Sequence, residues 1–235
     1  MLWPLAPVHA LMSFYTFTMN TGVSTFEIEG PELVRDIHRH VAERALDDMT
    51  ELAALVPAEC YDMNPIATFE RMIGDTQYAY VPLIYGYVSY SHSGFRNTKI
   101  EFSDIPQIGY ANGCRGSALG GTGIAVSART QHAELATKLA VHLASADVQR
   151  GTYAKSGGQP AHRAAWMDEV VNRNTADFFT NTLATLDLSW IRPRFDGYIA
   201  FQQRAGEIVA ECLRRQRSPI GTIDALNAAF AGAQR

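Results

Sequence analysis

From Val34 to Val56 the apolar positions form one helical stripe. Val34, Ile37, Val41, Ala45, Met49, Leu52 and Val56 stand three or four residues apart, the spacing of neighbours on one helix face. Gly30-Pro31 precedes the stripe and Pro57 closes it, so the pattern predicts a helix with proline at its tolerated first position. A shorter helix is expected over Pro65 to Ile73. The run "YAYVPLIYGYVSY" (78–90) is aromatic and β-branched, the signature of a buried strand, with Tyr85, Gly86 and Tyr87 at its end. "IEFSDIPQIGY" (100–110) is expected as a strand between Ser-, Gly- and Asn-rich loops, and "TGIAVSA" (122–128) as a short strand.

The helical period then returns. "HAELATKLAVHLAS" (132–145) is apolar at Leu135, Leu139 and Leu143, and the helical turn "ADVQRGTYAK" (146–155) stops at Gly157. A helix of mixed character follows "WMDEVVNRN" (166–174). "PRFDGYIAFQQRAGEIVAECLRRQ" (193–216) predicts a long amphipathic helix, apolar at Ile199, Ala205, Ile208, Val209 and Cys212 or Leu213. In "GTIDALNAAFAG" (221–232) Thr222 is placed to cap a last helix. The first residues, "MLWPLAPVHALMSFYTFTM", carry no Lys or Arg, hence no positive region of a signal peptide. They read as a buried strand running into a helix. Strands alternating with helices say α/β, with no repeat and no low-complexity linker.

Composition changes this picture little. The 235 residues are 47% apolar and 19% charged with net charge −4. A chain of this length forms one large domain or two small ones, and no broad basic field recruits nucleic acid. No stretch of the body of the chain is apolar enough to span a membrane. Three cysteines, Cys60, Cys114 and Cys212, are too few for a disulfide framework and lack metal spacing. Buried free thiols are one reading, a Cys60–Cys114 bridge in an oxidising compartment the other.

"LGGTGIAVSARTQHAELATKLAVHLASADVQRGTYAKSGGQPAHRAAW" (119–166) resembles the family 1 extracellular solute-binding proteins, the carbohydrate-capturing subunits of ABC importers. The order and spacing of its pieces carry the likeness: a Gly-Gly crossover, a small-residue strand end, an Ala/Leu helix, a Gly-Gly-x-Pro turn and an "AAW" helix. "PLIYGYVSY" is similar to the family's aromatic strand end, "RPRFDGYIAF" to its ligand-side helix start, and "LWPLAPVHALMSFY" to the segment entering its second lobe. The resemblance implies a periplasmic-binding-protein type II-like α/β fold, mainly the C-terminal lobe with a returning helical segment of the N-terminal lobe. Residues 1–119 and 174–235 would belong to the C-terminal lobe, and 120–173 would be the crossover and late N-terminal-lobe segment. Most of the first lobe, and any signal peptide, would lie outside this sequence, in a periplasmic or extracellular parent.

The same resemblance implies a small-molecule ligand, a sugar, held in an interlobe cleft and delivered to an ABC permease. It implies no catalysis, cofactor or metal. Sugar recognition asks for flat apolar faces and planar polar groups. Trp3, Tyr85, Tyr87 and Tyr198 match aromatic ligand positions, although aromatics at strand ends also serve as plain core. His9 lies at a strand-to-helix turn. Arg194 and Asp196 begin the long helix, where Asp196 also reads as an ordinary helix N-terminal carboxylate. Gly120 and Gly121 read as a hinge or a close backbone approach to ligand. Gly158 is a further ligand candidate, and Gly157-Gly158 as a simple helix stop is sufficient by itself. Asn64, Arg115 and Gln159 are weaker polar candidates.

Two other classes stay open. For a carbohydrate-active enzyme, Asp47-Asp48-Glu51 and Asp168-Glu169 are the available carboxylate pairs, but both clusters fall in helical segments where solvated faces are ordinary. His38 and His40 stand two residues apart, off a common helix face, and no G-x-S-x-G is present. A fragment without independent activity is the second, with self-association through the apolar side of helix 132–144.

Overall fold

The computed structural model describes residues 1–27, 30–108 and 113–234. Gly109 and Tyr110, the end of the expected strand at 100–110, lie outside the described residues. The longer helices are α1 (Pro7–Met19), α2 (Arg39–Ala53), α3 (Pro65–Gly74), α4 (Ala133–Leu143), α5 (Tyr198–Leu213) and α6 (Pro219–Ala233). The chain divides into two compact units, one of residues 1–85, 105–119 and 184–235, the other of residues 86–104 and 120–183.

The first unit is built around α1, whose residues from Ala10 to Thr18 are all buried, as expected of a helix apolar on every side. Its hydroxyls turn inward onto the helix: Thr16 donates to the Met12 carbonyl and Thr18 to that of Phe14. A Cβ on Gly206 of α5 would stand 2.6 Å from the Pro7 carbonyl oxygen, so only glycine permits this approach. Helices α2 and α6 complete the core with Leu46, Met49, Leu226 and Phe230. Asn20, fully buried, donates to the carbonyls of Gly113 and Arg115 and accepts from the Ile108 N–H.

Several expected boundaries move, each for a visible reason. Helix α2 begins at Arg39 rather than at Pro31, because Val34 forms an antiparallel bridge with Phe26 and exchanges hydrogen bonds with the Asn227 amide. Ile37, placed on the apolar stripe, is 67% exposed. Helix α5 begins at Tyr198, after Gly197 at φ +92°, so Arg194 and Asp196 precede it, and Ile199 points to solvent. Ser218 rather than Thr222 caps α6, accepting from the Gly221 N–H, with Pro219 at the first position.

The strands differ most. Among the described residues, β-pairing is confined to isolated bridges, Phe26–Val34, Ser93–Arg96 and Ala118–Trp190. Residues 78–87 and 120–127 are free of helix, and single bonds such as Leu2 N–H to the Tyr80 carbonyl replace a ladder. Aromatic and β-branched composition favours an extended, half-buried backbone. A ladder also needs a partner in register, which composition does not encode.

The second unit has its own core of Ala165, Trp166, Val171, Phe178 and Phe179. Trp166 Nε1 donates to the Pro160 carbonyl, and Asn172 donates to the Trp166 carbonyl while accepting from the Thr180 N–H. Phe102 meets Phe178 edge-on at 4.8 Å. These contacts gather 86–104 and 174–183 into this unit, where the expected boundaries placed both in the other lobe. All three cysteines are free thiols. Among the described residues no helix is long and apolar enough to cross a membrane, and no cluster of His, Cys, Asp or Glu is arranged to hold a metal.

Candidate functional site

In the first unit, α1 turns His9, Met12, Ser13 and Thr16 to one side, the i, i+3, i+4, i+7 spacing of a helix face. These four line an open, shallow depression together with Pro4, Leu83, Ile84, Tyr85, Ile105, Ser117 and Ala118. Pro7 begins the helix and the His9 N–H bonds the Ala6 carbonyl at 2.7 Å, which fixes the imidazole in the first turn. The Tyr85 ring stands edge-on to it, centroids 6.4 Å apart at 68°. Burial lowers the His9 pKa below its ordinary value. A neutral imidazole offers one donor and one acceptor, the pairing that a sugar hydroxyl requires. Apolar Leu83 and Met12, an aromatic ring and the His9 imidazole make this wall chemically suited to a small polyol with C–H faces.

The other sequence candidates fall elsewhere. Trp3 is 0% exposed and donates from Nε1 to the Ser13 hydroxyl at 3.2 Å. It presents no surface to a ligand and acts through Ser13, whose orientation it fixes. Tyr198 is 7% exposed and packs edge-on to Phe195; burial pushes its phenol upward. Both belong to the core, because a strand or helix start that is covered on every side uses its aromatics for packing. Arg194 and Asp196 are exposed in the loop before α5.

In the second unit Tyr87 is 41% exposed and precedes a short turn, Val88–Ser91. The Gln159 side chain accepts from the Val88 N–H and donates to the Gly86 carbonyl, so Gln159 is spent on positioning the backbone around Tyr87. Gly157 has φ +80°, the left-handed stop after a helix. A Cβ on Gly158 would lie 2.6 Å from the half-exposed Tyr153 ring, which would have to swing aside to admit it. Gly120 and Gly121 are exposed, and nothing lies within 4 Å of a Cβ built on Gly121. The chain leaves the first unit at Leu119 and enters the second at Gly120.

Asn64 caps α3 by accepting from the Ala67 N–H, and Asp168 caps the Glu169–Asn174 helix by accepting from Val170 and Val171. Asp168 is thereby accounted for by helix capping. A second depression of the first unit is lined by Thr50, Ala54, Tyr61, Leu213, Arg214 and Arg215. Its aromatic face is taken, with the Arg214 guanidinium 4.9 Å above the Tyr61 ring. Sequence reasoning missed Met12, Ser13, Thr16 and Ser117. The helical spacing from His9 was a signal that could have found the first three.

No protein-family model and no curated protein sequence matches this chain. Solved structures do. Maltose-bound MalE3 of T. maritima is 21% identical at a TM-score of 0.74, over 97% of this chain and 59% of its own. The maltose/maltodextrin-binding domain MalE of Bdellovibrio bacteriovorus, bound to maltotriose, is 17% identical at a TM-score of 0.66, over 97% of this chain and 58% of its own. The chain has the type II periplasmic-binding-protein fold of these structures and spans under two thirds of their length.

Proposed function

We propose that this chain binds a carbohydrate reversibly, without chemical change, as part of the capturing subunit of an ABC importer. The observation that carries the reading is the His9–Tyr85 wall of the first unit, set in a fold whose solved neighbours hold maltose and maltotriose. Tyr85 supplies a ring, His9 a neutral donor–acceptor pair and Ser117 a hydroxyl, while Ser13 and Thr16, nearly buried with hydroxyls on Trp3 and the Met12 carbonyl, shape the floor beneath them. Tyr87, exposed in the second unit, is a further ring for the ligand. Arg194 and Asp196 are exposed polar groups available to hydroxyls, and Gly120-Gly121 is the flexible joint. The partner that receives the sugar is a membrane permease, and the parent protein works in the periplasm or outside the cell.

The uncovered surface of α4 and of residues 120–129 favours a second reading, a fragment that does not bind alone. Thermal denaturation with maltose, maltotriose and a panel of other sugars separates the two. A rise in melting temperature with the sugar recovered intact by chromatography supports binding. A cooperative melt that no sugar shifts supports the fragment, and conversion of the sugar points to an enzyme.

A further inference from the structure

Two stretches far apart in sequence line the His9–Tyr85 depression: α1, which supplies His9 and Met12, and residues 105–119, which supply Ile105, Ser117 and Ala118. Asn20 ties one to the other. It stands four residues beyond Thr16, one turn further along the same helix face, and is fully buried. A carboxamide has two N–H donors and an acceptor oxygen. Here the donors go to the Gly113 and Arg115 carbonyls, each at 2.9 Å, and the oxygen accepts from the Ile108 N–H at 3.1 Å. All three partners are main-chain groups of 105–119, so one planar side chain at the end of α1 holds that stretch at three points.

The grip acts close to the residues that line the depression, since Arg115 precedes Ser117 and Ala118 and Ile108 follows Ile105 within one short run of chain. Other bonds hold the same run to a different neighbour. The Gly116 N–H donates to the Leu188 carbonyl, the Trp190 N–H to that of Ser117 at 2.7 Å, the Leu119 N–H to that of Trp190 at 2.8 Å, and the Ile105 N–H to the Thr185 hydroxyl. Those bonds fix 105–119 against 185–190. Asn20 fixes it against α1, the element that carries His9. Gly116, at φ +89°, allows the close approach: a Cβ there would stand 2.6 Å from the Asn20 nitrogen and from the Met19 carbonyl carbon.

We propose that Asn20 is a positioning residue of the sugar wall, setting Ile105, Ser117 and Ala118 against His9 without itself touching the ligand. The inference rests on the carbohydrate reading, and its probe is maltotriose, or the sugar of the panel that shifts the melt most. Coupling between two events in one protein is reciprocal, so a grip that organises the wall for sugar is tightened when sugar binds. Saturating sugar would therefore slow hydrogen exchange at the Ile108 amide of the parent chain. Asn20→Ala removes all three bonds and would weaken binding at least about fivefold in calorimetric titration of the folded variant. Gly116→Ala, whose methyl pushes 105–119 off α1 with the carboxamide intact, would weaken it in the same direction. An Asn20 that only stabilises the fold would lower the melting temperature of its variant and leave affinity and Ile108 exchange unmoved. A parent that binds no sugar tried contradicts the carbohydrate reading, and this role with it. Binding that leaves Ile108 exchange unchanged, or equal affinity in the parent and a folded variant, overturns the role of Asn20 alone.

Discussion

Gln159 grips Val88 and, through the same carboxamide, the residue before Tyr87. Its Oε1 accepts from the Val88 N–H at 3.1 Å and its Nε2 donates to the Gly86 carbonyl at 3.3 Å. A side chain that the sequence offered only as a weaker polar candidate holds the backbone on both sides of an exposed ring. Gln159→Ala leaves the part-buried Val88 N–H without its partner, at a cost of about 1–3 kcal/mol. Hydrogen exchange at 87–89 would quicken, and chemical denaturation would report the loss. Unchanged exchange at Val88 would show that the grip contributes nothing.

Gly206→Ala is expected to destabilise the first unit by about 1–3 kcal/mol, since the new methyl meets the Pro7 carbonyl rather than a side chain able to rotate away. The check is the denaturation midpoint at constant slope. Gly232→Ala, with nothing within 4 Å, is the control and should be neutral or stabilising by up to about 1 kcal/mol.

Arg215 ends α5 in the left-handed region at φ +60°, its N–H on the Cys212 carbonyl and the Gln216 N–H on that of Glu211. Glycine adopts this conformation without the steric cost of a Cβ. Arg215→Gly should therefore stabilise the chain by about 1 kcal/mol, read as a higher melting temperature. A lower one would mean that Arg215 makes contacts worth more than its strain.

The helices were legible because their spacing carries their faces: α3 and α4 fall within a residue or two of expectation. The start of α2 was not, since Val34 is claimed by Phe26 and Asn227, 8 and 193 positions away in sequence. Aromatic side chains announced themselves without saying which way they face. Trp3 and Tyr198 turned inward, whereas Tyr85 and Tyr87 line or leave a surface. The hydroxyls of Ser13 and Thr16 were hidden inside a helix that is otherwise apolar.

His9 makes the fold sensitive to acid. Its pKa is depressed by burial from an ordinary 6.5, so the unfolded chain takes up the proton before the folded one does. Stability contributed by the neutral imidazole is present above about pH 6.5 and is lost as pH falls toward the folded value, where the loss levels off. Melting temperatures from about pH 7.5 to 5 should fall more for the parent than for His9→Asn. Sugar affinity should fall over the same window. Parallel curves for the two proteins would show that His9 is not the group responsible.

Calorimetric titration of maltotriose into the parent chain and into Tyr85→Ala combined with Tyr87→Ala tests the sugar-binding reading most directly. Saturable binding by the parent, weakened at least about tenfold in a variant that still unfolds cooperatively, is the predicted result. Equal affinity in the two proteins would contradict the site, and the absence of binding by maltotriose and every other sugar tried would contradict the function.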